Sequence, residues 1–356
     1  LRLLADDLTG ALDTAAEFVG LCGPVPVRWD GRAAPGSAGF SSATRETARD
    51  AAIAAMGALA PALQGADIAY RKLDSLLRGN VAAELAACWA LGHWRHCILA
   101  PAFPAQERIA RGGRAMARQA DGGWADIPMP DWAAEGLVLR EGTHLAPGIT
   151  WFDAETDEDL ARIAALGRAA EGPVLWAGSG GLARALVGAA RLRPETRLEG
   201  PVLGLFGSDQ ATTARQLAAC EEAWLPITSA AEMPRIAERL AKAGACLVSL
   251  DLPPGLGRSA AAARIATEFD ALLRSLPRPG TLLVAGGETL RAVCEALGAE
   301  SLLAEGLVMP GVPRSRLQGG AWDGLLVISK SGAFGGDALW RDLLAAHHPL
   351  TAKSTA

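Results

Sequence analysis

The residues best suited to chemistry fall into two groups of different character, one in each half of the 356-residue chain. The first half supplies carboxylates and cations: Asp6, Asp7 and Asp13, then Arg45, then Lys72, Asp74, Ser75 and Arg78. The guanidinium forks of Arg45 and Arg78 match a carboxylate with paired hydrogen bonds. An extended 70–74 segment would put Lys72 and Asp74 on one face through the two-residue period, a cation beside an acceptor, which suits a hydroxy acid. Asp6 and Asp7 lie where a strand runs into a helix, and the helix dipole keeps carboxylates there ionised. They therefore suit hydroxyls or a metal rather than an acid group. The same residues could instead serve as ion pairs and helix caps.

The second half offers small, neutral groups: Gly207-Ser208, Gly286-Gly287-Glu288-Thr289 and Ser331-Gly332, each following a strand. Backbone N–H groups at such turns can converge on phosphate oxygens. One glycine after a strand is ordinarily just a tight turn, but three in one region point to a nucleotide. Lys330 beside the last of them either adds charge to a phosphate or is solvated.

The elements that must position these groups read as α/β, with short apolar runs alternating with Ala/Leu-rich helical stretches and mostly parallel sheets expected. A strand over 1–5 leads into a helix marked by Leu8, Ala11, Leu12, Ala15 and Val19. A strand over 68–70 and a turn over 71–79 lead to Asn80 as N-cap of a helix carrying Val81, Leu85, Cys88 and Trp89. A third strand, 97–100, is closed by Pro101-Ala102-Phe103-Pro104. Residues 105–150, rich in Gly, Pro and Arg, read as loop or short hairpin. A helix over 157–166 and a strand over 173–177 follow, then a charged linker, 191–200, containing Pro194. Beyond it come strand 201–206, helix 212–224, strand 246–250, helix 260–276, strand 282–285, a helix through Leu290, Val293, Cys294 and Leu297 ended by Gly298, and strand 325–328. Ligands of open α/β sheets gather at the carboxyl ends of strands, where both chemical groups lie.

Composition excludes several classes. Thirty-four basic against thirty-nine acidic side chains leave a net charge of −5, with no general attraction for nucleic acid or anionic membrane. The run Arg108, Arg111, Arg114 and Arg118 lacks the interleaved aromatics of a nucleic-acid surface. The six cysteines form no C-x-x-C pair and read as reduced, buried thiols. The five histidines form no H-E-x-x-H, no metal ligands are assigned, and His347-His348 reads as a helix C-terminal feature. No apolar run reaches membrane-spanning length and no leader pattern is seen, so a cytoplasmic address is expected. Neither G-x-x-x-x-G-K-[ST], nor H-R-D with D-F-G, nor G-x-G-x-x-G occurs, which disfavours familiar NTPase, protein-kinase and dinucleotide architectures.

Taken together, Ala5-Asp6-Asp7-Leu8-Thr9-Gly10-Ala11, Lys72-Leu73-Asp74-Ser75-Leu76-Leu77-Arg78-Gly79-Asn80 and Pro101-Ala102-Phe103-Pro104 resemble blocks of the four-carbon acid sugar kinase family. Gly178-Ser179-Gly180-Gly181-Leu182-Ala183, Gly207-Ser208 with Thr213 and Gln216, Gly286-Gly287-Glu288-Thr289, Pro310-Gly311-Val312-Pro313 and Lys330-Ser331-Gly332-Ala333-Phe334-Gly335 continue the resemblance in the family's order. It implies two domains, each a mostly parallel sheet flanked by helices, with the active site in the interdomain cleft. Residues 1–190 would bind the acid sugar, 191–200 link, and 201–356 bind nucleotide. By position, Asp6, Asp7, Arg45, Lys72, Asp74, Ser75 and Arg78 would line the substrate site, while Ser208, Gly286, Gly287, Glu288, Thr289 and Gly332 hold ATP. The implied reaction, with Mg²⁺, phosphorylates the terminal hydroxyl of threonate, erythronate or an oxo-tetronate. Asp7 is the expected base and Asp74 its alternative, and a homodimer is the assembly to test. Leu76 stands where the family usually has Thr, Glu107 where it usually has Gly, and 109–132 departs from the usual polar continuation. Two other readings stay open, a non-catalytic sugar-acid sensor and an Asp-nucleophile phosphatase. Adjacent Asp6 and Asp7 point opposite ways in extended chain, which counts against the phosphatase, and a sensor has no use for the glycine turns.

Overall fold

The computed structural model describes residues 1–32, 34–119, 121–207, 209–253 and 255–347. The chain divides into two compact units, Leu1–Leu192 and Arg193–Ala356.

In the first unit the main elements are β1 (Arg2–Ala5), α1 (Leu8–Cys22), β2 (Val25–Arg28), β3 (Ala38–Ser41), α2 (Arg49–Leu59), β4 (Ala69–Lys72), α3 (Val81–Trp89) and β5 (His96–Ala100). They continue with β6 (Arg108–Arg111), β7 (Arg114–Arg118), β8 (Trp124–Asp126), β9 (Leu139–Glu141), β10 (Gly148–Trp151), α4 (Asp157–Arg168), β11 (Val174–Gly178) and α5 (Gly180–Val187). The central sheet runs β2-β3-β1-β4-β11-β5-β10-β9, with each of these pairings parallel. Leu3, Leu4 and Ala5 are all fully buried, the continuous apolar run expected of a strand covered on both faces. α1 covers it with Ala11, Leu12, Ala15, Phe18 and Val19. α4 opens on a reciprocal capping box between Thr156 and Asp159.

Three expectations in this unit are corrected. Residues 105–150 do hold a short hairpin, β6–β7, but are more ordered than expected: β8 extends the hairpin to a small antiparallel sheet, and β9 and β10 join the central one. The turn between β6 and β7 is Gly112-Gly113, both at positive φ as a tight hairpin requires, and β10 is too short for its periodicity to show. Two arginines of this hairpin meet acids, Arg111 pairing with Glu155 and Arg114 with Asp126, while Arg118 lies over the Trp124 ring. β4 extends past 70 to include Arg71 and Lys72. Asn80 precedes α3 but makes no side-chain cap; its amide donates instead to the Thr44 and Thr47 carbonyls at 3.2 and 3.0 Å.

The second unit contains β12 (Val202–Phe206), α6 (Ala211–Ala218), β13 (Trp224–Ile227), α7 (Met233–Ala243), β14 (Ala245–Leu250), α8 (Arg258–Ser275), β15 (Thr281–Ala285), α9 (Gly287–Ala296), β16 (Ser301–Met309), β17 (Val312–Gln318), β18 (Leu326–Lys330) and α10 (Leu339–His347). Its strands run β13-β14-β12-β15-β18-β17-β16, parallel as far as β18 and antiparallel beyond it. The helix expected over 212–224 ends at Ala218, and Trp224 opens β13, an edge strand that tolerates Pro226 because its outer N–H has no ladder to complete. The β16–β17 hairpin, absent from the sequence-based expectation, turns at Gly311 with φ +81. β18 runs on to Lys330, two residues further than expected. His347 ends α10, and His348 lies outside the described residues.

All six cysteines are free and all but Cys22 are buried; burial pushes the Cys88 thiol up to about 12. Among the described residues no helix is long and apolar enough to cross a membrane.

Candidate functional site

Strands β3, β1 and β4 are neighbours running the same way, so the loops leaving their carboxyl ends meet. Asp6 and Asp7 follow β1, Arg45 follows β3, and Lys72 to Arg78 end and follow β4. Asp7 is the N-cap of α1: its Oδ1 accepts from Gly10 N at 2.8 Å and its Oδ2 from Thr9 Oγ1 at 2.7 Å. Arg45 spans both aspartates, with Nε and Nη2 each 2.8 Å from Asp6 oxygens and Nη1 and Nη2 2.9 and 3.0 Å from Asp7 oxygens. Its Nη2 also lies 3.5 Å from Asp74 Oδ1. Arg78 grips Asp74 in a fork, 2.7 Å from Nε and 2.8 Å from Nη2.

Two glycines permit this crowding. A Cβ on Gly10 would stand 2.5 Å from Asp7 Oδ1 and 3.2 Å from Lys72 Nζ. Gly79, at φ +82, would set a Cβ 3.0 Å from the Arg45 carbonyl oxygen. Lys72 donates to the Leu73 carbonyl at 2.8 Å, and both it and Ser75 are buried. Asp6, Asp7, Arg45, Lys72, Asp74, Ser75 and Arg78 thus lie in one region, whereas Asp13 sits deeper on α1, where a Cβ on Gly180 would come within 2.9 Å of its Oδ2. The guanidinium groups expected to grip an external carboxylate already hold carboxylates of the chain itself, Arg45 in largely buried pairs and Arg78 with its own side chain partly exposed.

The charges explain how carboxylates survive there. Burial opposes ionisation of Asp74, but Arg45, Arg78 and Lys72 outweigh it and hold the carboxyl well below the usual range. Burial likewise opposes ionisation of Asp6, and Arg45 with Arg71 again prevails. Asp7 is the most open of the three, its side chain 17% exposed against 1% for Asp6 and 7% for Asp74.

Sequence reasoning missed a layer beneath. Arg71, fully buried in β4, donates to the Leu4 and Lys72 carbonyls and pairs with fully buried Glu84 of α3, which also accepts from Thr44. The available signal was Glu84 itself, a charge on the same face as Val81, Leu85 and Cys88. Arg108 was read only as part of a basic run, yet it is near enough to Asp74 and Arg78 to feel both charges, and its buried Nε has no hydrogen-bond partner.

In the second unit, β12, β15 and β18 are adjacent and parallel, so their ends bring Gly207, Gly286 and the 331–336 turn together. Gly286, at φ +99, caps α9 and donates its N–H to the Lys330 carbonyl at 2.9 Å. A Cβ on Gly207 would meet Thr289 Oγ1 and Ile265 Cγ2, each at 2.7 Å. Gly287 opens α9, Thr289 is buried and Glu288 is exposed. Ser208 lies outside the described residues. Gly332 is anchored from behind: its carbonyl accepts from Thr213 Oγ1 at 2.9 Å and from Lys330 Nζ at 3.0 Å. Gln216 Nε2 reaches the Phe334, Gly335 and Gly336 carbonyls at 3.1, 3.1 and 3.0 Å. Lys330 is fully buried and so is not the solvated lysine that was one of its two readings, and burial brings its ammonium down to about 7.

These two constellations agree with what the chain is similar to. Residues 1–126 match a sugar-binding N-terminal domain and residues 203–339 a nucleotide-binding C-terminal domain. A D-threonate kinase of Cupriavidus necator is 32% identical, across 95% of this chain and 96% of that protein. A D-threonate kinase of Bordetella bronchiseptica is 28% identical, across 94% of each. A D-erythronate kinase of Heliobacterium modesticaldum is 25% identical, across 74% of this chain and 76% of its own length. The fold is shared with a solved protein of Salmonella typhimurium LT2, at a TM-score of 0.76, 21% identity and 98% coverage of both chains. It is shared also with a Haemophilus influenzae protein of the DUF1537 family, at a TM-score of 0.70, 18% identity and coverage of 98% and 100%. With an acid-and-cation site in a sugar-binding unit and glycine turns in a nucleotide-binding one, the chain belongs to the four-carbon acid sugar kinase family, a family of phosphotransferases.

Proposed function

We propose that the protein is a kinase that moves the γ-phosphate of ATP to the terminal hydroxyl of a four-carbon sugar acid of the threonate or erythronate type. In this reading residues 1–190 take the acid, 191–200 link, and 201–356 hold the nucleotide. The observation that carries it is the convergence of Asp6, Asp7 and Asp74 with Arg45, Lys72 and Arg78 at three adjacent strand ends, in the unit that matches a sugar-binding domain.

Four of Arg45's five N–H groups already donate to Asp6 and Asp7, so its main work is to fix those carboxylates. Recognition of the substrate's acid group then passes to Lys72, Arg78 and Arg108, the last with its unpaired Nε. Asp7 is the base of the proposal because it is the most open carboxylate, whereas Asp74 is locked by Arg78 and too weakly basic. The sugar oxygen forms its bond to the γ-phosphorus as the bond to the departing ADP breaks, and the hydroxyl proton goes to Asp7. Phosphoryl transfer asks little else of the protein than alignment and charge.

The nucleotide fits the second unit by the Gly207 cradle, too tight for a side chain, and by the anchored 331–336 turn. ATP supplies the phosphoryl group; Gly286, Gly287, Thr289, Gly332 and Ser208 would hold it, with exposed Glu288 at the rim. Among the described residues no three His, Cys, Asp or Glu side chains gather as a metal site, so Mg²⁺ belongs to this reading as a companion of the phosphates and no step is routed through it. A cytoplasmic address and a homodimer complete the reading, the latter to be read by light scattering.

The test is ADP release with threonate and erythronate, with and without Mg²⁺. Turnover is expected on at least one four-carbon acid, and Asp7→Asn should lower kcat by about 100-fold or more with little change in KM. Unchanged turnover in Asp7→Asn would overturn the base assignment. Absence of nucleotide binding in calorimetry would favour a sensor or phosphatase.

A further inference from the structure

We propose that Lys330 is the positioning charge of the 331–336 turn and that it takes up a proton when nucleotide binds there. The proposal rests on the nucleotide reading above and adds to it a residue, a role and a linkage. Lys330 Nζ donates to the Ser331 carbonyl at 3.1 Å and the Gly332 carbonyl at 3.0 Å, and approaches Thr213 Oγ1 at 3.5 Å. With Gln216 on the carbonyls of Phe334, Gly335 and Gly336, these acceptors of the turn are drawn to one side, toward β18 and α6. In a trans peptide the C=O and N–H point opposite ways. Drawing in the carbonyls of Ser331, Gly332, Phe334 and Gly335 therefore turns the N–H groups of Gly332, Ala333, Gly335 and Gly336 to the other face. Successive N–H groups on one face make an anion-binding concavity.

An ammonium behind such a turn polarises the intervening peptides in the direction that favours a phosphate in front. Among the described residues the ammonium has no ion-pair partner, and burial is the cause of its lowered proton affinity. The elements packed around it bring Thr213 of α6 and the Trp340 ring of α10, its centroid 6.0 Å away, to the ammonium, and Ala285 of β15 is its strand partner, none of them charged. The charged residues on or beside those elements are turned to solvent: Arg215 pairs with Asp337, Arg341 with Asp342, and Asp209 and Glu288 are exposed. Burial alone depresses its affinity for a proton, to about 7. At pH 8 the free enzyme thus holds Lys330 mostly neutral, and a polyanion on the far face of the turn restores the proton.

The experiment is calorimetric titration of the full chain with Mg·ADP at pH 8 in buffers of different ionisation enthalpy. We expect uptake approaching about one proton per ADP bound, rising as the pH passes upward through about 7, where the free ammonium deprotonates. In Lys330→Met the uptake should vanish and ADP affinity fall by about 10-fold or more. The wild-type titration needs no variant, so a misfolded Lys330→Met leaves the proposal testable. ADP binding by the wild type without proton uptake, or uptake that persists in a folded Lys330→Met, overturns the proposal and leaves the nucleotide site standing. No ADP binding at all overturns the nucleotide reading itself, and this inference with it.

Discussion

Single residues reveal their constraints most clearly where the backbone is unusual. Glu107, which occupies a position where the family usually has Gly, adopts φ +58 and ψ +44, the left-handed conformation that glycine reaches without strain. A non-glycine residue held there carries a local conformational cost. Glu107→Gly should stabilise the first unit by about 1 kcal/mol, less the extra freedom glycine gains in the unfolded chain. Urea unfolding of the two proteins measures it, and a destabilised variant would show that the Glu107 side chain contributes more than the strain costs. The aspartates tell a complementary story. Asp6, Asp7 and Asp74 were legible as carboxylates at strand ends, but the grip of Arg45 on all three was not, because Arg45 follows β3 while they follow β1 and β4; Arg78 holds Asp74 from four residues along the same loop.

At the scale of elements, the site is held by a tie between β4, α3 and the loop after β3. Arg71, Glu84 and Thr44 make that tie, and the Asn80 amide reinforces it through the Thr44 and Thr47 carbonyls. Burial raises the Glu84 carboxyl, and Arg71 opposes the rise, so the two are best regarded as one buried pair. Glu84→Leu takes from buried Arg71 the carboxylate it hydrogen-bonds, with the charge of Asp6 still nearby, and should cost about 3 kcal/mol in urea unfolding. Adding Arg71→Met should recover most of that loss. A small effect of Glu84→Leu alone would mean that Arg71 finds another partner or water. Periodicity placed α3 correctly from Val81, Leu85 and Cys88, while the polar residue within that apolar stripe was the visible sign of the tie.

At the scale of the whole molecule, each unit has its own core, and in the first that core encloses a further carboxylate, away from the candidate site. Glu17, on the buried face of α1, is raised by burial and by Asp13 to about 8, against 4.5 in an exposed setting. Between those values the folded chain holds a proton that the unfolded chain releases, so this group's contribution to stability is full below about pH 4.5 and is lost as pH rises through about 8. Glu17→Gln removes the ionisable group. It should raise Tm at pH 9 by several degrees and change it little near pH 5, as followed by circular dichroism across pH. Equal effects at both pH values would show that Glu17 does not titrate in this way. Arg184, 3.8 Å from Glu17, softens the effect without cancelling it.

By itself the sequence determined the class of fold, most of the helices and strands, and the placing of acidic and basic residues in one half and glycine turns in the other. These follow from short-range rules, the spacing of apolar residues and the turn chemistry of glycine, which act within a few residues of the chain. Strands too short to show a period, such as β10, and the change from helix to edge strand at Trp224 escaped those rules. Only the tertiary structure decided which charges meet. The parallel order β3-β1-β4 brings Arg45 onto Asp6 and Asp7, and β12-β15-β18 sets Thr213 and Gln216 behind the turn that Lys330 enters. Burial and pairing depend on neighbours distant in sequence, so the state of Lys330, Arg71 and Glu84 is a property of the packed sheet and is not legible in the residues that flank them.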